Sequence, residues 1–240
     1  MRIAVISDIH GNRLALEAVL EDIETHRVDM TVNLGDLVSG PLEPAATANL
    51  LLDCDFPTVR GNHERVLIAN GSADLAPVDR FTFDELEPNH LEWFARLPAT
   101  LSISHDIYMC HGTPSDDNAP WLDAWWQGRD TTLPSEAAVT AEAEGLDYPV
   151  LLCGHTHTAR VVRLRDGRLI VNPGSVGLQM VHGSPDARYA ILDRRNGEWS
   201  VMLCAIPYDH QGAAEQARRH GFTRWIEALN TGWAGPEGLF

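Results

Sequence analysis

Short apolar runs, each closed by polar metal-binding residue types, constrain this chain more than any other feature of it. The runs IAVIS, MTVNLG, FPTVRG, IYMC and YPVLLCG are too short for helices and read as buried strands. Asp8 and His10, Asp36, Asn62 and His63, His111, and His155 with His157 follow directly on them. Polar groups at successive strand ends converge on one edge of a sheet, where open α/β folds place their sites. Imidazole, carboxylate and amide oxygen together suit divalent transition metals. The ligands are too many for one ion and fit two. Taken singly, each group has a bland explanation, such as a turn, a cap or a structural histidine. Only the full ordered set points to a metal centre.

Composition narrows the class. With 240 residues, 44% hydrophobic and 22% charged, the chain can build one sizeable soluble core. A single domain over residues 1–240 is expected. The net charge of −16 disfavours nucleic acid as a partner on global electrostatics, although bound cations would make a site locally positive for an anionic substrate. All 18 basic residues are arginine, so Schiff-base and P-loop lysine chemistry are excluded. Cys54, Cys110, Cys153 and Cys204 form no C-x-x-C pair and read as small buried hydrophobes in a reducing compartment. The N-terminus lacks the pattern of a secretory signal, and no apolar run approaches the ~18 residues of a membrane span. A cytoplasmic protein without membrane contact is expected, and a homo-oligomer is compatible.

Residues 2–7, 30–34 and 56–60 read as strands separated by helices over 12–25 and 44–53, with Asn12 as a cap. This alternation argues for parallel pairing in a layered α/β domain. Helices are expected from His63 to Asn70 and from Pro88 to Leu97, then a hairpin of 100–104 with 107–110. The stretch 113–148, with Trp121, Trp125 and Trp126, breaks the pattern and reads as a flap or partial cap, with a helix near 135–144. Strands at 149–153, 159–165, 168–172, 188–194 and 199–206 follow, with Asp166-Gly167 as a turn. One or two helices and a Gly-rich tail close the chain. The expected fold is two packed sheets flanked by helices, the second sheet mostly antiparallel.

Spacing adds detail. On an extended strand end, Asp8 and His10 at i, i+2 point the same way, as do His155 and His157. Asp36 stands alone, and its two oxygens suit a bridge between cations about 3.5–4 Å apart.

The motifs SDIHGN, NLGDLV, RGNHE, CHGTP and GHTH, followed by NPGSVG at 172–177, resemble the calcineurin-like metallophosphoesterases, in particular small prokaryotic phosphodiesterase-like members. The resemblance implies an α-β-β-α sandwich of two mixed sheets. It implies one metal on Asp8, His10 and His157, a second on Asn62, His111 and His155, and Asp36 between them. His63 would be catalytic, set over the phosphate as an acid or electrostatic stabiliser. Manganese is the first expectation for the ions, with iron, zinc or nickel also compatible. The reaction implied is hydrolysis of a phosphate ester, a diester first, by a hydroxide bridging the metals, with the pKa of that water lowered toward about 7. Alternatives are a phosphomonoesterase or protein phosphatase, a dinucleoside polyphosphate hydrolase, and a non-catalytic scaffold. Relatives that act on phosphoproteins place an aspartate three residues after the bridging one to orient the histidine. Here that position is Ser39, which leaves the partner of His63 open.

Four further residues are candidate substrate contacts. Asn12 follows His10 and Gly11, and also suits the helix cap. Arg60 precedes the Gly61-Asn62-His63 group, and also suits a structural ion pair. Trp121 and Trp125, four apart, would share a helical face and stack a nucleobase or aryl group, or else anchor the flap. Glu64 reads as a first-turn residue favoured by the helix dipole. Asn172, Gly174 and Ser175 suit a tight turn near the ligands, and His182 follows that turn closely.

Overall fold

The computed structural model describes residues 1–70, 74–126, 130–234 and 238–239. Two sheets lie face to face. The first has the order β11-β10-β1-β2, formed by Glu198–Ile206, Ala187–Arg195, Arg2–Ile6 and Met30–Asn33. The second has the order β3-β4-β7-β9-β8, formed by Thr100–Ile103, Ile107–Cys110, Val150–Leu152, Leu169–Asn172 and Arg160–Arg163. A small hairpin pairs β5 (Ala124–Trp126) with β6 (Asp130–Thr132).

Strand alternation sorts β1 between two cores. Ile3 and Val5 point between the sheets with Val32, Ile107, Met109, Val150 and Leu152. Ala4 and Ile6 point outward to α1 (Arg13–His26), where they meet Leu16 and Val19. Each Val, Leu, Ile or Met among them contributes roughly 1.5–3 kcal/mol on leaving water. The outer face of the second sheet, with Leu151 and Ile170, is covered by Trp121, Leu122 and Val139, the last from α6 (Glu136–Glu142). At the C-terminus α7 (His210–Arg219) and α8 (Thr223–Thr231) pack around the buried Trp225. Among the described residues, no helix is long and apolar enough to cross a membrane.

Several expectations change. Residues 56–60 run parallel to β2 but make one isolated bridge, Asn33 to Thr58. Pro57 has no N–H to give, and the Arg60 N–H turns away to the Pro98 carbonyl at 2.8 Å. The second sheet is mixed rather than mostly antiparallel. Its centre pairs β4, β7 and β9 in parallel, while the β10–β11 hairpin returns to the first sheet antiparallel to β1. Trp121 and Trp125 share no helix: Trp121 precedes β5, and Trp125 lies within it.

Four helices connect the sheets: α2 (Pro44–Cys54), α3 (Asn62–Asn70), α4 (Pro77–Glu85) and α5 (Pro88–Arg96). The helix α4 has no counterpart in the sequence reading. Its buried positions are Val78, Asp79 and Thr82, so it lacks an apolar stripe.

Candidate metal centre

The loops that leave β1, β2, β4 and β7, together with the start of α3, meet at one edge of the two sheets. The backbone there is held in an uncommon shape. Asp8, His10, Asp36, His155 and His157 all have φ between 51° and 67°, in the left-handed region. The i, i+2 pairs therefore converge through left-handed turns beyond the strand ends, not through the alternation of an extended strand. Non-glycine residues persist in that region only where surrounding contacts fix them, and such positions cluster at functional sites.

Those contacts are specific. The Glu64 carboxylate accepts hydrogen bonds from the backbone N–H groups of Asp36 at 3.0 Å, Leu37 at 2.8 Å and Gly61 at 3.0 Å. It ties the loop after β2 to the start of α3. Its pKa is pushed up to about 7, by burial first and by Asp36 second. Gly61 passes so close that a Cβ there would sit 2.1 Å from Asp36 Oδ1. The Ser175 hydroxyl donates to the Asp8 carbonyl at 2.6 Å, so the turn at 172–177 braces the loop after β1.

Two groups of ligand atoms result. Asp8, His10 and His157 form one; Asp36, His111 and His155 form the other; within each, the ligand atoms lie within 4.8 Å of one another. Asn62 Oδ1 joins the second, 3.1 Å from His111 Nε2 and 3.1 Å from His155 Nδ1. Asp36 Oδ2 lies between the groups, 3.0 Å from His111 Nε2 and 3.9 Å from His10 Nε2. Asp36 Oδ1 is already taken by the His63 backbone N–H at 3.1 Å. Oδ2 is the oxygen these distances place between the groups.

The donor set fits cations. Nδ1 of His10 donates to the Ser39 carbonyl at 2.7 Å, Nδ1 of His111 to the Leu34 carbonyl at 2.7 Å, and Nδ1 of His157 to the Leu178 carbonyl. A carbonyl only accepts, so each neutral ring keeps its lone pair on Nε2. The Nε2 atoms of His10 and His157 face each other at 3.0 Å. Asp8 Oδ1 is sealed from solvent without a hydrogen-bond donor, 3.4 Å from His157 Nε2. Burial pushes the His10 pKa down to about 3, and burial with His111 pushes His155 down to about 4. Those rings are neutral near pH 7 and ready to coordinate.

His63 stands beside this floor. Its Nδ1 donates to Asp79 Oδ1 at 2.9 Å. Burial alone would lower its pKa, but Asp36 and Asp79 outweigh burial and hold it at about 9. The partner that Ser39 does not supply comes from α4. Sequence reading missed Asp79 because its helix carries no periodic signal; Pro77 followed two residues later by an acid was the trace available. Ser39 instead contributes its backbone carbonyl to His10.

A cavity of about 750 Å³ opens above the floor, lined by Asp36, Asn62, His63, His155 and His157. Its wall includes Asn118, Thr156, Arg160, Met180 and His182. A groove of about 780 Å³ along α6 is no smaller, but it holds none of the ligands. Arg160, absent from the sequence candidates, pairs with the buried Asp123 at 2.5 Å.

Three of the four expected substrate contacts lie away from the cavity lining. Asn12 caps α1 through Ala15 at 3.1 Å and donates to the Gly177 carbonyl and the Tyr208 hydroxyl, which occupies its polar atoms. Trp121 is a core residue at 3% exposure, its indole N–H donating to the Val139 carbonyl at 3.0 Å. Arg60 is half-buried and does not line the cavity. The side chain of Trp125 lies outside the described residues.

Comparison with known proteins agrees with this architecture. Residues 1–197 match the family model of the calcineurin-like phosphoesterase superfamily domain. An uncharacterized protein of Methanocaldococcus jannaschii is 26% identical over 245 residues, covering 93% of this chain and 95% of its own. A metallophosphoesterase from Sphaerobacter thermophilus superimposes with a TM-score of 0.78 at 28% identity, covering 97% of this chain and 99% of its own. A hypothetical protein from Pyrococcus horikoshii gives 0.79 at 19% identity, with 98% and 99% covered. Fold, ordered motifs and the match over residues 1–197 agree, and the chain belongs to the calcineurin-like phosphoesterase superfamily.

Proposed function

We propose that this protein hydrolyses phosphate esters with two divalent cations, acting on diesters in preference to monoesters. The observation that carries the reading is the inward convergence of imidazole nitrogens, two carboxylates and one amide oxygen in a buried space. Asp8, His10 and His157 would hold one ion, Asn62, His111 and His155 the other, with Asp36 Oδ2 shared. When bound, such a pair supplies Lewis acidity and an activated water.

The protein's own groups supply the rest. Carbonyls behind Nδ1 fix the ring orientations of His10, His111 and His157, so the floor is organised in advance. Asp79 fixes His63 in the same way. His63, protonated near neutral pH, lines the cavity and would stabilise a phosphoryl oxygen or protonate the leaving alkoxide. The diester preference follows from charge. Among the described residues Arg160 is the arginine lining this cavity, and it is already neutralised by Asp123, while Arg65 pairs with Asp117 at 2.7 Å. A diester brings one negative charge and a monoester up to two, so this wall suits the diester. Segment 113–148 is read as a partial cap that brings Asn118 and Thr131 to the cavity.

The test is turnover of an aryl phosphodiester and the matching monoester by Mn²⁺-loaded protein. A higher kcat/KM for the diester, abolished by chelation, is expected. Turnover that survives thorough chelation would overturn the metal-dependent reading, and a faster monoester would overturn the diester preference.

A further inference from the structure

The rim of the cavity carries an aromatic pair that the metal chemistry does not use. His182 lines the same cavity as His63, and its ring lies on Trp233 with centroids 3.6 Å apart and planes 9° from parallel. Trp233 remains 50% exposed. Backbone contacts hold the pair. The Gly183 N–H bonds the Thr231 carbonyl at 2.7 Å, and the Trp233 N–H bonds Thr231 Oγ1 at 3.2 Å. Gly232, at φ 70°, sits where a Cβ would come within 2.0 Å of the Val181 carbonyl. The turn carrying His182 is thus clamped to the end of α8 that carries Trp233. Trp233 covers one face of the imidazole, and His182 is an exposed residue of the cavity lining. Met180 lines the same wall and adds a thioether, which packs well against rings.

We propose that His182, backed by Trp233, is the subsite for a planar aromatic leaving group, a nucleobase or an aryl ring, on the ester whose phosphate rests on the metal floor. This rests on the phosphoesterase reading only for the chemistry at phosphorus; the stacking itself is a matter of binding. Stacked rings at the edge of a phosphate site are sequence-tolerant platforms because every base has a π-face. Neither residue is catalytic.

The test is calorimetry on Mn²⁺-loaded protein with inorganic phosphate, glycerol 3-phosphate, phenyl phosphate and AMP. Trp233→Ala and His182→Ala are expected to weaken an aromatic phosphate by about tenfold or more, with phosphate and glycerol phosphate shifted less than about twofold. Trp233→Phe should restore most of the loss. Weakening confined to AMP assigns a nucleobase; weakening of phenyl phosphate as well assigns any aryl ring. Equal weakening of all four ligands, or of none, overturns the subsite. Inorganic phosphate also reports whether each variant keeps its folded site. If no ester is hydrolysed by the wild type, the phosphoesterase reading fails, while the binding series still decides the subsite.

Discussion

At the floor of the cavity Asp8, His10 and His111 are fully buried, whereas at its wall His182 is open to solvent, stacked on a half-exposed Trp233. The floor is an extension of the core. Its ligands follow strands whose alternate side chains fill the inter-sheet layer, so the packing of Ile3, Val5, Met109 and Leu152 also sets the ligand positions. The wall is assembled from a turn, a helix end and the segment before α6. On the proposed function the difference teaches where each property would reside: metal geometry in the part of the site anchored in the core, and substrate choice in the surface elements around it.

The largest effect should come from breaking the floor. Asp36→Asn removes charge from the one oxygen shared between the two ligand groups, and both ions should be lost together. Elemental analysis is expected to find neither ion at stoichiometric occupancy, with no turnover left to measure. Retention of one full equivalent would show that the groups are independent. Chelation of the unaltered protein should abolish turnover as completely, with recovery on Mn²⁺.

His63 comes next, because it stands between floor and wall. His63→Ala should lower kcat by about a hundred- to ten-thousandfold with both metals retained. Asp79→Asn should cost less, on the order of ten- to a hundredfold, and KM should stay close to its starting value. The two losses should not add, since Asp79 works only through the ring it orients. An additive double variant would assign Asp79 a role of its own.

A smaller effect separates the ligands by their protons. Burial alone would depress His111, but Asp36 and Asp8 outweigh it and raise its pKa to about 10. The metal-free protein at pH 7 therefore carries a proton on His111, while His10 and His155, depressed to about 3 and about 4, carry none. Coordination at His111 must displace that proton, so metal affinity rises with pH until the pKa is passed. Calorimetry in buffers of different ionisation enthalpy should register about one proton released between pH 6 and 8 as the group that contains His111 is loaded. Affinity should rise about tenfold per pH unit over that range. A pH-independent affinity would place the proton elsewhere.

Legibility in the sequence follows the same division. The floor was readable because each ligand follows its strand within a few residues, and short spacing survives translation into space. Asp79 was not, because it reaches His63 from a helix whose buried face is Val78, Asp79 and Thr82. Glu64 has the sequence position of a helix-dipole residue, yet two of its three backbone partners belong to the loop after β2. In the sequence His182 stands out only by its nearness to the NPGSVG turn, and its stacking partner lies 51 positions away at Trp233. Strand order was also hidden: nothing in 187–206 tells β10 to pair with β1 rather than extend the second sheet.

Trp121 tests the division from the other side, and its effect on turnover should be the smallest. As a stacking residue it would belong to the wall; the structure puts it in the core over the second sheet, packed with Cys110, Leu151 and Ile170. Its indole N–H satisfies the Val139 carbonyl inside that layer. Trp121→Ala should therefore destabilise the fold by about 3–5 kcal/mol in denaturant unfolding, the range for emptying a large buried aromatic site. The KM of the folded fraction, below the unfolding transition, should match the unaltered protein for aromatic and aliphatic esters alike. A selective rise in KM for the aromatic ester with stability intact would move Trp121 to the wall, and the aromatic subsite would then have to be redrawn to include the segment before β5.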